Sequence, residues 1–219
     1  MIIELIGPGA IGKTTIEPFL AERLRITHYP GSKRHGYAGE ALTRSRIWRS
    51  RLWSGAREPL LVVTAFRAHT GDGKERIRFA LDISRRNRFA ARAARSGDGV
   101  LSSGPTHALC AASANIGHDL TFLAPRIVTP DIFVRLHVEP DELTRRMAGR
   151  RGVPEEHLHD RAEINKQYDA FADHLLANMD LPVVEVEAAE APEIVAEMAA
   201  VAVRQLIDPD EATASEVSN

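Results

Sequence analysis

Gly7-Pro8-Gly9-Ala10-Ile11-Gly12-Lys13-Thr14 follows directly on the apolar run Met1-Ile2-Ile3-Glu4-Leu5-Ile6, and this junction decides the fold. The eight residues fit G-x-x-x-x-G-K-[ST], the pattern of a loop that wraps around phosphate groups. Glycines let such a loop turn tightly and point consecutive backbone N–H groups inward at phosphate oxygens. The apolar run before the loop predicts a buried strand, and the residues after it are compatible with a helix. The alternative interpretation is a glycine turn with a surface lysine.

The loop predicts a set of contacts to a nucleotide. Lys13 is placed to reach the β- and γ-phosphates, and the Thr14 hydroxyl is placed to bind Mg²⁺. The positive N-terminal end of the following helix adds to the attraction for an anion. Thr15 can offer a hydroxyl to the α-phosphate. The candidate residues for binding ATP are Gly7, Gly9, Ala10, Ile11, Gly12, Lys13, Thr14 and Thr15.

The composition of the 219 residues fits one α/β domain with a sizeable core. The net charge is −2, and no apolar run approaches the length of a membrane span. The N-terminal apolar run is short and has no basic residues ahead of it, so we expect no signal peptide. Cys110 is the only cysteine, and its apolar neighbours favour a buried, inert thiol. The expected compartment is the cytoplasm.

Charge is unevenly distributed along the chain. Between residues 31 and 95 basic residues greatly outnumber acidic ones, whereas from Ser96 onward the balance reverses. Such an asymmetry indicates an anionic partner for the middle of the chain, and a polynucleotide is one candidate. The other interpretation is a solvated, arginine-rich face. The sequence leaves both open.

Short apolar segments alternate with helix-compatible ones. Strands are expected at about 2–6, 25–29, 100–103, 132–138 and 182–186, and residues 59–69 are compatible with either a strand or a helix. Helices are expected at about 13–23, 40–53, 74–95, 106–115, 141–151, 154–178 and 192–207. This alternation predicts an α/β fold: a five-stranded parallel sheet with helices on both faces, in one domain over 1–207. The acidic, polar tail over 208–219 is expected to be disordered.

Together with the loop, three further segments occur in the order seen in a known family. They are Thr27-His28-Tyr29-Pro30-Gly31-Ser32; Pro130-Asp131-Ile132-Phe133-Val134-Arg135-Leu136-His137-Val138-Glu139-Pro140-Asp141-Glu142-Leu143-Thr144-Arg145-Arg146; and Tyr168-Asp169-Ala170-Phe171 followed by Pro182-Val183-Val184-Glu185-Val186. With them the chain resembles the small P-loop kinases of the nucleoside and nucleoside-monophosphate type, thymidylate kinase most of all. The resemblance implies ATP- and Mg²⁺-dependent phosphoryl transfer, a helical lid over about 141–165 and often a homodimer.

The chain departs from this family at the end of the third strand. There the family usually has an acid that holds the Mg²⁺ shell or helps to activate the acceptor hydroxyl, whereas this chain has Ser102 and Ser103. A serine hydroxyl can hold a metal-bound water but carries no negative charge. If Ser102 acts only through water, Ser102→Ala should lower turnover mildly, and Ser102→Asp should raise it. The strand-two loop likewise carries His28 and Tyr29 where the family often has Arg and Glu.

Several arginines are candidates for phosphate contacts, because their planar fork binds phosphate oxygens in pairs. Arg146, Arg150 and Arg151 fall on the expected lid, and with Lys13 they are the candidate catalytic residues. Arg85 and Arg86 precede strand three, where the resemblance implies an acceptor phosphate, and with His28 and Tyr29 they are candidate substrate-binding residues. Arginines at the ends of helices are also common in solvent, so each assignment has a purely structural alternative.

The position of the catalytic acid or base stays open. Asp98 and Asp131 are expected at the wrong end of their strands. Glu40, Asp72 and Asp82 are other candidates for the acid, and His28 or His107 are candidates for the base. The leading hypothesis is a kinase for a small hydroxyl- or phosphate-bearing acceptor, with a nucleotide or nucleoside-like compound as the favoured acceptor. The alternatives are a kinase that acts on a modified base in a polynucleotide and an ATP-binding protein with a degraded catalytic site.

Overall fold

The computed structural model describes residues 1–29, 58–149 and 158–208, and within them five parallel strands form one sheet. The strands are β1 (Ile2–Ile6), β2 (Thr27–Tyr29), β3 (Gly99–Leu101), β4 (Ile132–His137) and β5 (Val183–Glu187). Their order across the sheet is β2-β3-β1-β4-β5. The predicted α/β fold is therefore confirmed. Because the strands run in parallel, their carboxyl ends meet at one edge, where ligands bind in sheets of this kind.

Helices cover both faces of this sheet. They are α1 (Lys13–Leu24), α2 (Pro59–Ala68), α3 (Gly73–Ser96), α4 (Pro105–Ile116), α5 (Pro140–Ala148), α6 (Leu158–Ala177) and α7 (Pro192–Ile207), with a 3₁₀ helix at Thr121–Arg126. Proline begins α2, α4, α5 and α7, since its fixed φ suits the first helical turn and its missing N–H is not needed there. Asp72 caps α3: its Oδ1 accepts the N–H of Glu75 at 2.7 Å.

Four details differ from the sequence expectation or extend it. Residues 59–68 of the ambiguous stretch 59–69 are helical, as α2. Strand β2 begins only at Thr27, because Arg25 takes a left-handed conformation with φ +56° that ends α1. Strand β3 ends at Leu101, so Ser102 and Ser103 belong to the loop beyond it. The 3₁₀ helix was not predicted. The helix expected over 40–53 lies outside the described residues, as does the tail beyond Asp208.

The core lies on both sides of the central strand β1, which pairs with β3 and β4. On one face α1 and α7 pack with the sheet around residues such as Ile3, Leu20 and Val203. On the other face α2, α3, α4 and α6 form a second cluster, and Cys110 is buried there as predicted. Burial raises the pKa of its thiol to about 12, so this cysteine is held in the unreactive form.

We find no helix in the described ranges with both the length and the apolar composition that crossing a bilayer requires. The predicted lid over about 141–165 takes in α5 and the start of α6. Residues 150–157 between them lie outside the described part of the chain, so the lid stays a prediction.

Candidate phosphate-binding and acceptor site

The loop between β1 and α1 has a backbone conformation that depends on its glycines. Gly7 has φ +145° and Gly12 has φ +101°, values that L side chains rarely adopt. A Cβ atom at Gly7 would lie 2.7 Å from the carbonyl oxygen of Leu136, near the end of β4. Ala10 has φ +73°, so it holds a left-handed conformation at some energetic cost. The loop is therefore curled tightly against the carboxyl edge of the sheet, as the motif predicts.

Lys13 folds back over this loop. Its Nζ donates hydrogen bonds to the carbonyl oxygens of Gly7, at 2.5 Å, and Pro8, at 2.7 Å, and only 8% of the residue is exposed. A lysine amine inside a curl of backbone is a compact positive charge with its donors directed by the loop. The arrangement can attract an anion to the loop, which is the chemistry expected of the motif. The roles assigned to the individual loop residues remain predictions.

Two side chains of α6 hold the loop from the other side. The Tyr168 hydroxyl accepts the N–H of Gly7 at 3.1 Å, and Asn165 Oδ1 accepts the N–H of Gly9 at 3.2 Å. Spaced three residues apart, Asn165 and Tyr168 share one face of the helix. Tyr168 is buried, which raises the pKa of its phenol well above the usual value, so the hydroxyl keeps its proton. It lies 2.8 Å from Nδ1 of His107.

Of the predicted lid arginines, the structure describes Arg146 and places it at the phosphate-binding loop. Its Nη1 is 3.5 Å from the carbonyl oxygen of Ile11, and its Nη2 donates to the carbonyl of Ala189 at 3.2 Å. Its Nε donates to Glu142 at 2.6 Å. Hydrogen bonds from Arg145 and Arg146 lower the pKa of Glu142 to about 2. Arg150 and Arg151 lie outside the described residues, so their assignment stays a prediction.

The loop after β3 meets α1 at the predicted metal position. Glu17 of α1 is buried, and its Oε1 accepts the backbone N–H of Ser102 at 3.2 Å. The other carboxylate oxygen of Glu17 is 3.7 Å from Nε2 of His28 at β2. The Ser102 hydroxyl is buried too, and it has no hydrogen-bond partner within the described ranges. An acidic side chain therefore stands at the end of β3 even though the strand itself supplies none.

A cavity of about 660 Å³ lies between α3 and α4 and reaches the phosphate-binding loop at Thr14. Its polar lining includes both signs of charge. Among the lining residues are Thr14, His69, Arg78, Asp82, Arg86, Ser103 and His107. A cleft of this size accommodates a small molecule and carries enough polar groups to orient it. The sequence did not predict a cavity, but it singled out Asp82, Arg86 and His107 among the candidates.

Arg86 is fixed in this cavity by two neighbours. Its Nε donates to Asp82 Oδ2 at 2.7 Å, and its Nη1 donates to the carbonyl oxygen of Ser103 at 2.5 Å. Arg85 forms an ion pair with Asp82 at 3.5 Å but is not among the cavity's lining residues. Arg76 of the same helix donates to the carbonyl of Phe66 at 2.8 Å. Some arginines of the basic segment 31–95 therefore form hydrogen bonds and ion pairs within the protein. Residues 31–57 of this segment lie outside the described part of the chain.

Glu4, in the middle of β1, is a fully buried acid next to this cavity. Its Oε1 accepts the backbone N–H of His107 at 2.8 Å, in the first turn of α4. Burial raises the pKa of Glu4 to about 7, although the hydrogen bond from His107 opposes the rise. A Cβ atom at Gly104 would lie 2.4 Å from the Glu4 carboxyl carbon, so the chain passes close to this side chain.

Asp98 and Asp131 lie at the opposite end of the strands, as expected. The backbone N–H of Ile2, at the start of β1, donates to Asp131 at 2.6 Å, which makes Asp131 a structural residue. Sequence analysis missed four site residues, namely Glu4, Glu17, Asn165 and Tyr168. The signal for Glu4 was an acid inside an otherwise apolar strand. Asn165 and Tyr168 have the i, i+3 spacing of one helix face, but nothing in the sequence indicated that this face meets the loop.

No family model matches the chain, and a search of curated proteins finds no match to it. Solved structures do match. A deoxyadenosine kinase from M. mycoides with bound dATP has a TM-score of 0.58 at 16% identity, covering 95% of this chain and 100% of that one. A second structure of that kinase, with the products dCMP and a flexible dCDP bound, has a TM-score of 0.58 at 17% identity, with 94% and 100% covered.

At these identities the likeness shows that this chain has the fold of those P-loop kinases. A shikimate kinase from Aquifex aeolicus gives a TM-score of 0.47 at 15% identity, with 95% of this chain and 99% of that one covered. The likeness to thymidylate kinase in particular stays a prediction.

Proposed function

We propose that the protein is an ATP- and Mg²⁺-dependent phosphotransferase that phosphorylates a small hydroxyl- or phosphate-bearing acceptor, namely a nucleotide or nucleoside-like compound. The observation that carries the proposal is the contact between the cavity and the phosphate-binding loop: Thr14 belongs to both. An acceptor in the cavity would lie beside a phosphate chain held by the loop. Holding two reactants side by side, with their charge neutralised, is most of what phosphoryl transfer requires.

In this proposal the backbone of the loop and Lys13 hold the phosphates of ATP. Lys13 is buried against the Gly7 and Pro8 carbonyl oxygens, which keeps its charge directed into the curl of the loop. Arg146 stands at the rim, within reach of the Ile11 carbonyl. With Arg150 and Arg151 it would complete the lid of a single kinase domain over 1–207. We expect this domain to act in the cytoplasm.

The residues at the end of β3 fit a magnesium ion. The described part of the chain has no group of three or more His, Cys, Asp or Glu side chains that could hold a metal by themselves. Magnesium does not need such a cage, because it usually keeps several waters and is held by one or two carboxylates together with substrate phosphates, and in loops of this pattern by the Ser or Thr hydroxyl. We propose that the Thr14 hydroxyl binds the ion directly and that the Ser102 hydroxyl, which has no hydrogen-bond partner among the described residues, binds it through a water. When bound, Mg²⁺ would supply neutralisation of phosphate charge.

The acceptor side of the proposal rests on the lining of the cavity. Its volume of about 660 Å³ suits a ligand of nucleoside size. Arg86 is held rigidly by Asp82 and Ser103, so it can present a fixed positive edge to a hydroxyl or phosphate of the acceptor. We assign Arg85 a supporting role, since it pairs with Asp82. His28 and Tyr29 would approach the acceptor from the end of β2.

The test is phosphoryl transfer from ATP across a panel of acceptors, read by mass spectrometry, for the wild type and Lys13→Ala. The panel holds nucleosides, nucleoside monophosphates, small hydroxy acids and a single-stranded oligonucleotide. We expect one acceptor class to gain a phosphate with the wild type and none with Lys13→Ala. Arg23→Ala is the matched control, because Arg23 carries the same charge on α1 but pairs with Glu197, away from the loop.

Full transfer by Lys13→Ala would overturn the proposal. ATP binding without transfer to any acceptor would favour an ATP-binding protein with a degraded site. Transfer confined to the oligonucleotide, with a steep loss of binding as salt is raised, would instead favour a polynucleotide acceptor bound through the basic segment.

A further inference from the structure

The end of β3 lacks an acid of its own, yet a carboxylate is present there. It belongs to Glu17, which is 2% exposed and whose Oε1 lies 3.2 Å from the backbone nitrogen of Ser102. The hydrogen bond joins helix α1 to the loop after β3 across 85 positions of sequence. The packing of α1 against the sheet therefore brings the Glu17 carboxylate to the end of β3.

Glu17 also lies next to the residue proposed to bind the metal. Thr14 and Glu17 are three residues apart on α1, and residues at this spacing are neighbours on one helix face. Thr14 is exposed and lines the cavity between α3 and α4, whereas Glu17 is buried. Hydroxyl and carboxylate oxygens are ligands of the kind that hard cations such as Mg²⁺ take.

The Ser102 hydroxyl provides an independent observation. It is buried, in a residue that is 1% exposed, and has no hydrogen-bond partner among the residues described. A buried polar atom without a partner is costly, and in native proteins such an atom commonly serves a water or an ion. The backbone N–H of the same residue contacts Glu17. The unpaired hydroxyl and the buried carboxylate thus belong to one small polar site.

We propose that Glu17 supplies the negative charge of the magnesium site, acting through a metal-bound water, in place of an acid on strand β3. The inference rests on the proposed function, since it concerns the metal of the ATP complex. Burying a carboxylate is unfavourable unless a positive charge compensates it. His28 Nε2 lies 3.7 Å from this carboxylate, and a bound divalent cation would supply the compensating positive charge.

The inference changes the expectation for Ser102→Asp. In the wild-type background the new carboxylate would lie beside that of Glu17, and two like charges at one buried site repel each other. We therefore no longer expect this substitution to raise the rate. Ser102→Ala is still expected to have a mild effect, because the charge resides on Glu17.

The test measures metal affinity directly. Mn²⁺ is titrated into the protein saturated with β,γ-methylene-ATP, and free Mn²⁺ is followed by electron paramagnetic resonance. Glu17→Gln keeps an acceptor for the Ser102 N–H while it removes the charge. We expect the Mn²⁺ affinity of the complex to fall about 10- to 100-fold, as for other groups that act through a metal's bound ligands. Affinity for the analogue without metal, measured by calorimetry, should stay within about twofold of the wild type, because Glu17 lies behind the phosphate loop.

Glu22→Gln is the matched control, since Glu22 is an exposed acid on the same helix. Its Mn²⁺ affinity should equal that of the wild type. An unchanged Mn²⁺ affinity in Glu17→Gln would overturn the inference and leave the proposed kinase intact. A wild type that binds neither the analogue nor Mn²⁺ would instead count against the proposed function.

If Glu17→Gln does not fold, Glu17→Asp replaces it. Aspartate keeps the charge but withdraws it by one methylene from Ser102. The Mn²⁺ affinity should then fall several-fold, whereas affinity for the metal-free analogue should stay the same. Equal Mn²⁺ affinity in Glu17→Asp and the wild type would contradict the inference, since a carboxylate serving only as a structural acceptor has no effect on the metal.

Discussion

Glu4 makes the stability of the protein depend on pH in a defined direction. Its pKa is raised from 4.5 to about 7 because the folded protein buries it. Below pH 4.5 the carboxyl is neutral in both the folded and the unfolded state. Between pH 4.5 and about 7 it is ionised only in the unfolded state, so stability falls as pH rises. At about 1.4 kcal/mol per pH unit, the total loss is about 3 kcal/mol.

The substitution Glu4→Gln isolates this effect. Glutamine has nearly the same shape and can still accept the N–H of His107, but it does not titrate. We expect the free energy of unfolding of the wild type to fall by about 3 kcal/mol relative to Glu4→Gln between pH 4.5 and 7.5. Urea unfolding followed by circular dichroism at half-unit pH steps gives this difference directly. The other titrating groups contribute equally to the unfolding free energy of both proteins, so their contributions cancel in the difference.

Glu190→Gln serves as the control, since Glu190 is exposed on the loop before α7. Its difference curve against the wild type should be flat over the same range. A flat curve for Glu4→Gln would refute the reasoning. A curve of opposite slope would show that the α4 N-terminus and the charge of Arg86 hold Glu4 as an anion, so that hydrogen bonding and charge outweigh burial.

Two further predictions concern the contacts that hold the phosphate-binding loop. Tyr168→Phe leaves the N–H of Gly7 without its acceptor, so we expect a loss of about 1 to 3 kcal/mol in urea unfolding and weaker binding of an ATP analogue; unaltered values for both would show that the contact is dispensable. Gly7→Ala strains the backbone and places a Cβ atom 2.7 Å from the Leu136 carbonyl oxygen. Gly97 has a similar φ of +112° but no atom within 4 Å of a Cβ, so Gly97→Ala carries the strain alone, about 1 to 3 kcal/mol. Gly7→Ala should lose roughly 1 to 3 kcal/mol more than Gly97→Ala, and equal losses would exclude the steric contact as the cause.

The fold was predictable because its signals are local. Most strands are short runs rich in apolar residues, the segments between them are helix-compatible, and the glycine pattern of residues 7–14 fixes the first turn. The expectations were open or wrong where local signals are weak. Residues 59–69 suit either a strand or a helix, and only their packing against α3 makes them α2. The extent of β3 was overestimated, since Ser102 and Ser103 are compatible with a strand end or a loop.

The candidate site was predictable only in part. The motif named Lys13 and Thr14 because a contiguous loop carries its chemistry in its own spacing. Glu17 was passed over as one more polar residue of a helix, although it reaches Ser102 at 3.2 Å. Tyr168 was noted only as part of a family-like segment, and its bond to Gly7 spans 161 positions. Contacts between residues so distant in sequence depend on how the helices pack on the sheet. The periodicity of apolar residues predicts the helices and strands but not this packing.

By itself, then, the sequence determined the class of fold, the position of the glycine-rich loop over residues 7–14 and the absence of an acid at the end of strand three. Tertiary structure decided where the charges of the site stand. Docking of α1 on the sheet brings Glu17 to the strand end, and packing of α3 against α4 brings Arg86 to Ser103 and opens the cavity beside Thr14. The physical reason is that helices and strands depend mainly on residues close in sequence. The position of a buried charge depends on contacts with residues distant in sequence, which only the folded chain brings together.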